Sequence, residues 1–337
     1  MSHAELSSFF RGKRVLITGG VGFIGSNLAH ALVRADAEVL LVDSLVPEYG
    51  GNLANVAGLE GRARINVSDV RDEHSFRHLI RDQDVLFNLA GQTSHLDSMV
   101  DPFTDLEINC RSQLSILEAC RHHNPEVVVV FASTRQIYGR PQLLPVDEAH
   151  PIAPVDANGI HKAAGERYHL LYWQTYGMNV SVLRLTNTYG PRMRVKDERQ
   201  TFLGSWLKAI IRGEPLTVFG DGQQRRDFTY VDDAVNALLM AAARRDAWGE
   251  VFNLGGERAI SLLELARLLI ELNGGGECRL VPFPEERKTI DIGDYFADFG
   301  RIREKLGWQP TVPLEEGLAR SLTFYREHGD HYWDSES

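Results

Sequence analysis

Short apolar runs rich in β-branched residues alternate, along the first half of the chain, with longer segments in which apolar residues recur every three or four positions. The runs predict buried strands and the longer segments predict amphipathic helices. The predicted strands lie near Arg14 to Thr18, Glu38 to Asp43, Ala63 to Val67, Asp84 to Ala90, Val127 to Ser133 and Val180 to Leu185. This alternation is typical of an α/β fold with a doubly wound parallel sheet.

Beyond Asn187 the alternation loosens and glycine-rich loops become frequent. Gly274-Gly-Gly276 separates a predicted helix from a short predicted strand. We therefore predict a sheet domain over residues 1–186, a smaller, partly interleaved α/β lobe over 187–330, and a tail over 331–337. The sequence has neither an internal repeat nor a low-complexity linker, so the two lobes are expected to share an interface. A cleft is expected at the carboxyl ends of the strands.

The first predicted strand runs directly into three glycines with the spacing G-x-x-G-x-x-G, namely Gly19, Gly22 and Gly25. Gly19 permits a sharp turn, Gly22 lets backbone N–H groups approach a pyrophosphate, and Gly25 lets the next helix pack on the sheet. That helix is predicted from Phe23 to Val33, and its N-terminus carries partial positive charge. An ordinary βα turn is the alternative, but the strand–turn–helix context favours a dinucleotide site.

The second predicted strand ends in a carboxylate, Asp43, which follows Gly25 by 18 residues. A carboxylate at this place accepts hydrogen bonds from the adenosine ribose hydroxyls and repels a 2′-phosphate. The expected cofactor is therefore NAD rather than NADP in a Rossmann-type domain.

Composition and charge narrow the classes of partner. The chain has 337 residues, 43% hydrophobic and 24% charged, with a net charge of −10, which argues against general binding to nucleic acid or to an anionic membrane. Its three cysteines are widely separated and favour free thiols in a reducing compartment. The first residues lack a signal-peptide pattern, and no apolar run is long enough to span a bilayer. A cytoplasmic enzyme is expected.

Seven ordered motifs beyond the glycine turn resemble those of the extended short-chain dehydrogenase/reductase superfamily, specifically its nucleotide-sugar epimerases and dehydratases. The resemblance covers nearly the whole chain. The motifs are Asp69-Val-Arg-Asp72, Asn88-Leu-Ala-Gly-Gln92, Phe131 to Gly139, Leu183 to Arg192, Leu216 to Gly222, Arg226 to Asp233 and Leu306-Gly-Trp308.

The resemblance implies a set of cofactor contacts and an oligomeric state. The residues expected at NAD are Gly19, Gly22, Phe23, Ile24, Gly25, Asp43, Ser44, Asp69, Val70, Leu89, Ala90, Gly91, Asn109 and Lys162. Helices from Asp105 to His123 and from Gly159 to Gly177 match those that pair across the family's dimer. A homodimer formed through a helix bundle is therefore expected.

The resemblance also implies transient oxidation, in which a tyrosine of a Y-x-x-x-K pair removes a hydroxyl proton while the adjacent carbon gives hydride to NAD. The lysine of the pair lowers the phenol pKa and binds the nicotinamide ribose. In this chain Lys162 occupies the lysine position, but Asn158 stands in place of the tyrosine. A carboxamide has no proton-accepting form near neutral pH, so another group has to move the proton.

The predicted catalytic set is Thr134, Asn158 and Lys162. Thr134 could hydrogen-bond a sugar hydroxyl, and Lys162 is the best candidate for the base because burial and a nearby cation lower an ammonium pKa. His161 is expected to point off the cleft because successive helical residues diverge by about 100°. Tyr138 is expected to pack beside the site and His95 to be a loop histidine satisfied by solvent, with a catalytic role as the alternative for each.

The triplet Thr134-Arg135-Gln136 bears on the reaction, because the 4,6-dehydratase branch of the family has Thr-Asp-Glu there. Without those acids, epimerisation of a nucleoside-diphosphate sugar is favoured, with a lyase or oxidoreductase and an inactive binding protein as alternatives. No metal is expected. Guanidinium groups suit a diphosphate, and the resemblance places Arg192, Arg226 and either Arg287 or its neighbour Lys288 at the phosphate. The whole predicted substrate set is Gln92, Asn187, Arg192, Thr217, Phe219, Arg226 and Arg287.

Overall fold

The structure, a computed structural model, describes residues 1, 3–198 and 201–333, apart from the side chains of residues 3, 47, 286 and 287. Its strands are β1 (Arg14–Thr18), β2 (Glu38–Asp43), β3 (Ala63–Val67), β4 (Val85–Asn88), β5 (Val128–Thr134), β6 (Val180–Leu185), β7 (Asn187–Tyr189), β8 (Leu216–Phe219), β9 (Arg225–Tyr230), β10 (Val251–Asn253), β11 (Ala259–Ser261) and β12 (Cys278–Val281). Its α-helices are α1 (His3–Phe10), α2 (Phe23–Arg34), α3 (Glu73–Leu79), α4 (His95–Val100), α5 (Pro102–Leu106), α6 (Ser112–His123), α7 (Ala157–Tyr176), α8 (Phe202–Ile211), α9 (Val231–Ala243), α10 (Leu262–Asn273), α11 (Glu285–Lys288), α12 (Gly300–Leu306) and α13 (Leu314–His328).

The central sheet is parallel, with the strand order β10-β6-β5-β4-β1-β2-β3. The order reverses between β1 and β4, so the predicted doubly wound Rossmann-type sheet is confirmed. β10 comes from the C-terminal half of the chain and pairs with β6, with Val251 opposite Val182. The two halves of the chain are therefore interleaved through this sheet.

Both faces of the sheet are covered, which explains why its strands are apolar at successive positions. Along β1, Val15 and Ile17 belong to the core that contains α2 and α9, whereas Leu16 belongs to the core on the opposite face beneath α3, α6 and α7. All three side chains are fully buried. The carboxyl edge of this rigid sheet is the platform for the site.

The smaller lobe is built from β7, β9 and β11 in one sheet and β8 and β12 in another. Helices α8, α10 and α13 pack around these strands. The glycines 274–276 lie between α10 and β12, as predicted. Cys110, Cys120 and Cys278 are free thiols, also as predicted. Within the described ranges, no helix is long and apolar enough to cross a membrane.

The helices expected over Asp105–His123 and Gly159–Gly177 are both present, with one difference. The first is interrupted, because a π-helical turn at Glu107–Arg111 joins α5 to α6. The second corresponds to α7, which the Asp156 side chain caps by accepting a hydrogen bond from the Gly159 N–H. Helix α7 therefore begins close to Asn158, and a π turn places Asn109 opposite it.

A buried ion pair fixes α7 to the sheet. Glu166 accepts hydrogen bonds from Arg184 Nη2 at 2.5 Å, Arg184 Nε at 3.0 Å and Ser133 Oγ at 2.8 Å. Both charged side chains are almost inaccessible to solvent. This network holds α7 in place against β5 and β6.

Replacing Glu166 by alanine should lower the free energy of unfolding by about 3–5 kcal/mol, because it leaves the Arg184 charge buried and unpaired. Urea unfolding followed by circular dichroism measures this loss. The matched control is Glu316→Ala, which removes an exposed partner of Arg320 on α13 and should cost less than about 1 kcal/mol. Equal losses in the two variants would contradict the structural role of the buried pair.

Candidate functional site

The glycine turn between β1 and α2 has the geometry that its sequence predicts. Gly19 adopts a φ of +66°, and a Cβ at Gly25 would lie 2.2 Å from the Gly19 carbonyl oxygen. Gly22 caps α2 without a side-chain hydrogen bond. The first N–H groups of this 12-residue helix therefore face the space above the turn, where an anion would be stabilised.

Asp43, at the end of β2, holds this turn from the side. Its Oδ2 accepts a hydrogen bond from the Val21 N–H at 3.0 Å, and its Oδ1 accepts one from the Leu45 N–H at 2.9 Å. Burial raises the pKa of Asp43, and these backbone donors oppose the increase. The carboxylate is thus fixed in one orientation with lone pairs left for a ligand.

A cavity of about 260 Å³ opens above the turn at the carboxyl ends of the central strands. It is lined by every predicted cofactor residue except Asn109, namely Gly19, Gly22, Phe23, Ile24, Gly25, Asp43, Ser44, Asp69, Val70, Leu89, Ala90, Gly91 and Lys162. Gln92, Thr134 and Asn158 also line it. The structure thus brings the predicted cofactor set and the predicted catalytic set to one cavity.

Lys162 and Asn109 converge beneath Gly91. A Cβ at Gly91 would lie 2.7 Å from Lys162 Nζ and 2.8 Å from Asn109 Oδ1, so only glycine fits there without displacement. Asn109 Oδ1 is buried and has no hydrogen-bond partner among the described residues. A hydroxyl or amide group of a cofactor could donate a hydrogen bond to this unpaired oxygen beside the Gly91 backbone. The residues present therefore fit a dinucleotide.

The electrostatics of Lys162 favour a role at the cofactor. Its Nζ donates to the Ala132 carbonyl at 3.3 Å. Burial lowers its pKa to about 8, and Asp105 opposes this decrease. The ammonium of Lys162 can therefore lose its proton more readily than that of an exposed lysine.

Asn158 is held by its amide nitrogen. Its Nδ2 donates to the Gln92 carbonyl at 2.8 Å and to Asp105 Oδ2 at 3.0 Å. Among the described residues none donates to Asn158 Oδ1, so this oxygen is available as an acceptor for a ligand hydroxyl. The position can orient a hydroxyl group, but it cannot take its proton.

Asp105 completes this network from α5. Its Oδ1 lies 2.6 Å from His161 Nδ1, and its side chain is about 1% exposed. His161 lines neither cavity described here, as predicted, because its ring points toward α5. The role of Asp105 was missed from the sequence, since an acidic residue within a predicted helix gives no sign of a partner in another helix.

The segment after β5 contributes the third predicted catalytic residue. Thr134 Oγ1 accepts the Gln136 N–H at 3.2 Å, which leaves its hydroxyl proton free to be donated. Arg135 Nη2 donates to Asn187 Oδ1 at 3.1 Å. Tyr138 is fully buried, donates to Asn253 and lines neither cavity, so its predicted packing role is confirmed.

His95 does not lie in a loop, because it is the first residue of α4, and its side chain is 36% exposed. Its ring lines the cofactor cavity and also a second cavity, and Nδ1 is shielded from solvent 3.1 Å from Asp156 Oδ2. Asp156 itself was missed. The only signal in the sequence was its suitability as the N-cap of the predicted helix.

The second cavity has a volume of about 630 Å³ and lies between the sheet and the smaller lobe. Of the predicted substrate residues, it is lined by Asn187, Thr217, Phe219 and Arg226. It shares His95, Arg135, Asn187 and Thr201 with the first cavity, so the two spaces meet. Burial lowers the pKa of Arg226 to about 9, and repulsion by Arg135 adds to the decrease. Arg135 and Arg226 therefore bring two guanidinium groups to this cavity, which the carboxylates of Asp97, Glu198 and Asp291 also line.

One predicted phosphate contact is not brought to these cavities. Arg192 lines neither of them, because its Nη1 donates to Asn27 at 2.9 Å and its guanidinium packs over Phe324. The side chain of Arg287 lies outside the described part of the structure. Within the described ranges, no cluster of three or more His, Cys, Asp or Glu side chains could hold a metal ion.

Comparisons with known proteins agree with this geometry. A family model described as the NAD dependent epimerase/dehydratase family matches residues 15–255. The dTDP-glucose 4,6-dehydratase of an Actinoplanes species is 32% identical over 325 residues, or 93% of this chain and 98% of that protein. The UDP-glucose 4-epimerase of Thermotoga maritima, solved with UDP-glucose, is 32% identical with a TM-score of 0.86, covering 94% of this chain and 99% of that one.

A third similar protein was solved with its cofactor. The UDP-glucuronic acid 4-epimerase of Bacillus cereus, in complex with UDP-glucuronic acid and NAD, is 27% identical with a TM-score of 0.84. The match covers 94% of this chain and 99% of that one. Both epimerases and dehydratases are therefore among the similar proteins.

Proposed function

Because the chain belongs to the NAD-dependent epimerase/dehydratase family and takes NAD as its cofactor, we propose that it is an epimerase of a nucleoside-diphosphate sugar. The observation that carries this proposal is the junction of the two cavities, where Thr134 and Asn158 lie on the cofactor side and Arg226 on the other. A sugar at the junction would present one carbon to the cofactor while its diphosphate extends toward the guanidinium groups.

The cofactor cavity suggests how the chain holds NAD. The N–H groups of the glycine turn would bind the pyrophosphate, and the fixed Asp43 carboxylate would accept hydrogen bonds from the adenosine ribose. Lys162 and Asn109, which converge beneath Gly91, would hold the nicotinamide ribose. When bound, NAD supplies a reversible hydride acceptor.

The larger cavity suggests how the substrate is held. Arg226 is buried, its Nη1 donates to the carbonyls of Arg225 and Gly293, and its Nη2 lies 3.8 Å from Asp291 Oδ1, so it would attract a diphosphate through its charge. Phe219 and Thr217 would flank the nucleobase, whereas Asn187 and Gln92 lie nearer the sugar. These residues do not identify the nucleobase or the sugar, since none of them recognises a functional group that only one base or sugar carries.

Epimerisation is preferred to dehydration because of the two residues that follow Thr134. Arg135 donates to Asn187, and Gln136 donates to Asp156, so neither supplies a carboxyl group beside the sugar. Thr134 and Asn158 would orient the hydroxyl group that is oxidised. A lyase is the second candidate, because the similar proteins include a dehydratase. An inactive binding protein is the third, because Asn158 has replaced the family's phenol.

The test is incubation of the purified protein with NAD and a panel of UDP-, dTDP-, GDP- and CDP-sugars in D₂O, followed by NMR and mass spectrometry. A product of unchanged mass, with inverted stereochemistry and no carbon-bound deuterium, is the expected result. Loss of water or CO₂ would identify a lyase. Binding of a sugar nucleotide without any conversion would identify the inactive alternative.

We also propose that the protein is a homodimer that pairs through the helices over Asp105–His123 and Gly159–Gly177, and that α4 and α5 extend this surface. These helices contact one another and expose Met99, Val100, Phe103, Leu106 and Ile160. Phe103 is 77% exposed, which is unusual for an isolated surface phenylalanine beside other apolar side chains. A second copy would cover this patch.

The dimer proposal predicts that Phe103→Asp converts a dimer into a monomer of 37.8 kDa. In a symmetric dimer the new aspartate would be buried opposite the same aspartate of the second copy, and this would disfavour association. Light scattering coupled to gel filtration measures the mass. Leu143 is equally exposed at 77% but lies outside these helices, so Leu143→Asp should stay dimeric. A monomeric wild-type protein would contradict the proposal.

A further inference from the structure

We propose that His95 is the catalytic acid and base that takes the place of the missing tyrosine, with Asp156 as the residue that positions it. This assignment rests on the proposed function, because it needs a sugar hydroxyl at the junction of the two cavities. It gives the site a proton acceptor that neither Asn158 nor Thr134 can supply.

The first observation is the placement of the ring. His95 is the first residue of α4, after the Ser94 N-cap, and its side chain is 36% exposed. It belongs to the small set of residues that line both cavities. Nδ1 is shielded from solvent and lies 3.1 Å from Asp156 Oδ2, although the contact does not have hydrogen-bond geometry, so Nε2 is the nitrogen left for a ligand. The ring thus presents one nitrogen to the space where cofactor and sugar would meet.

The second observation is the fixed carboxylate behind the ring. Asp156 Oδ1 accepts the Gly159 N–H at 2.7 Å, and Oδ2 accepts Gln136 Nε2 at 2.7 Å. Burial opposes its ionisation, yet the pKa of Asp156 lies below its ordinary value because His95, Gly159 and Gln136 stabilise the charged form. When Nδ1–H turns to donate to this ionised carboxylate, the tautomer with Nε2 free is selected. The carboxylate also stabilises the imidazolium that forms when Nε2 takes a proton.

The other candidate groups are less well placed. Lys162 lines only the cofactor cavity, and its Nζ faces the Ala132 carbonyl. Burial raises the pKa of Tyr138 to about 12, and this phenol donates to Asn253 away from both cavities. His95 is therefore the group that combines access to both cavities with a ring nitrogen that can accept a proton.

Several charges surround the ring and would influence its titration. On the side of the larger cavity these are the carboxylates of Asp97, Glu198 and Asp291 and the guanidinium groups of Arg135 and Arg226. Lys162 lies on the side of the cofactor. Asp156 is the charge at closest range, so its removal should have the largest effect on the imidazole.

In the step assigned to His95, the proton of a sugar hydroxyl passes to Nε2 while the hydride on the same carbon passes to NAD. The C–H and O–H bonds break, a C=O bond forms, the sugar is oxidised and the cofactor is reduced. In the reverse step the hydride returns to the other face of the C=O group, and Nε2 returns the proton to the oxygen. Atoms, charge and electrons balance over the cycle, and the configuration of the carbon is inverted.

The test compares His95→Asn with the wild-type protein, using the nucleotide sugar that the panel identifies. Turnover should fall about 10²–10⁴-fold, while the Kd values for NAD and for the nucleotide sugar change less than about threefold. In His95→Gly, added imidazole should restore part of the turnover. His123→Asn, on the exposed end of α6, is the matched control and should keep full turnover.

Asp156→Asn tests the positioning residue, because asparagine keeps the N-cap of α7 and removes only the charge. Loss of the carboxylate destabilises the imidazolium, so the acid limb of the kcat/KM profile should move to lower pH by about one pH unit. An unmoved acid limb would overturn the role of Asp156.

Three results would overturn the role of His95 itself. The first is wild-type turnover in His95→Asn. The second is a loss of turnover with an equal loss of ligand binding and no rescue by imidazole. The third is an acid limb of the kcat/KM profile near pH 8 that disappears only when Lys162 is replaced. In each of these the wild-type protein is active, so the proposed function survives. A wild-type protein that converts no nucleotide sugar would instead overturn both.

Discussion

Replacing Lys162 by methionine should lower turnover by about 10³-fold while the protein stays folded. Methionine has a similar length and no charge, so the variant removes the ammonium beneath Gly91 and leaves the volume nearly unchanged. Lys162 Nζ is buried with only the Ala132 carbonyl as its hydrogen-bond partner in the described structure. Burial of this ammonium outweighs the attraction of Asp105, as the lowered pKa of Lys162 shows, so the free energy of unfolding should not decrease.

Single-turnover formation of NADH, measured by absorbance, and urea unfolding together check this result. The matched control is Lys13→Met, since Lys13 pairs with Asp84 on the surface. It precedes β1 at the amino edge of the sheet, away from the site. Its turnover should equal that of the wild-type protein. A Lys162→Met variant with full turnover would show that the charge beneath Gly91 has no part in the reaction.

Replacing Gly25 by valine should abolish NAD binding. A Cβ at this position would lie 2.2 Å from the Gly19 carbonyl and 2.9 Å from Gly20 Cα, both of them backbone atoms that cannot move aside cheaply. The turn between β1 and α2 would have to open, and its N–H groups would lose their common direction. We expect the affinity for NAD to fall at least about 100-fold, as measured by isothermal titration calorimetry.

A control separates loss of the turn from a general effect of replacing glycine. Gly61 has a φ of +74° and open space around it, far from the cofactor cavity. Gly61→Ala should lower the free energy of unfolding by about 1 kcal/mol and leave the affinity for NAD unchanged. Undiminished binding of NAD by Gly25→Val would refute the assignment of the glycine turn to the pyrophosphate.

The parallel sheet could be predicted because each of its strands is specified by a few consecutive residues. Four predicted strands, Arg14–Thr18, Glu38–Asp43, Ala63–Val67 and Val180–Leu185, coincide with the observed ones. A strand covered on both faces requires a run of apolar, β-branched residues, and such a run is visible in a few consecutive positions. The glycine turn is equally local, because three glycines and a following helix specify it together.

The two cavities were predictable only in part. The cofactor residues were found because they follow the strands in order, so that parallel strand ends gather them at one edge. Arg192 fits the same motif but turns toward Asn27 and Phe324. Its direction depends on α13, which lies more than a hundred residues further along the chain.

The sequence by itself determined the α/β class, the order of its elements, and the glycine turn with Asp43. Each of these can be recognised from neighbouring residues or from a fixed spacing along the chain. Only the tertiary structure decided which polar groups meet around Asn158. Asp105 reaches its amide from 53 residues away, and Asp156 lies behind the ring of His95. Such meetings depend on how α4, α5 and α7 pack together, and packing is a property of the whole fold rather than of any segment.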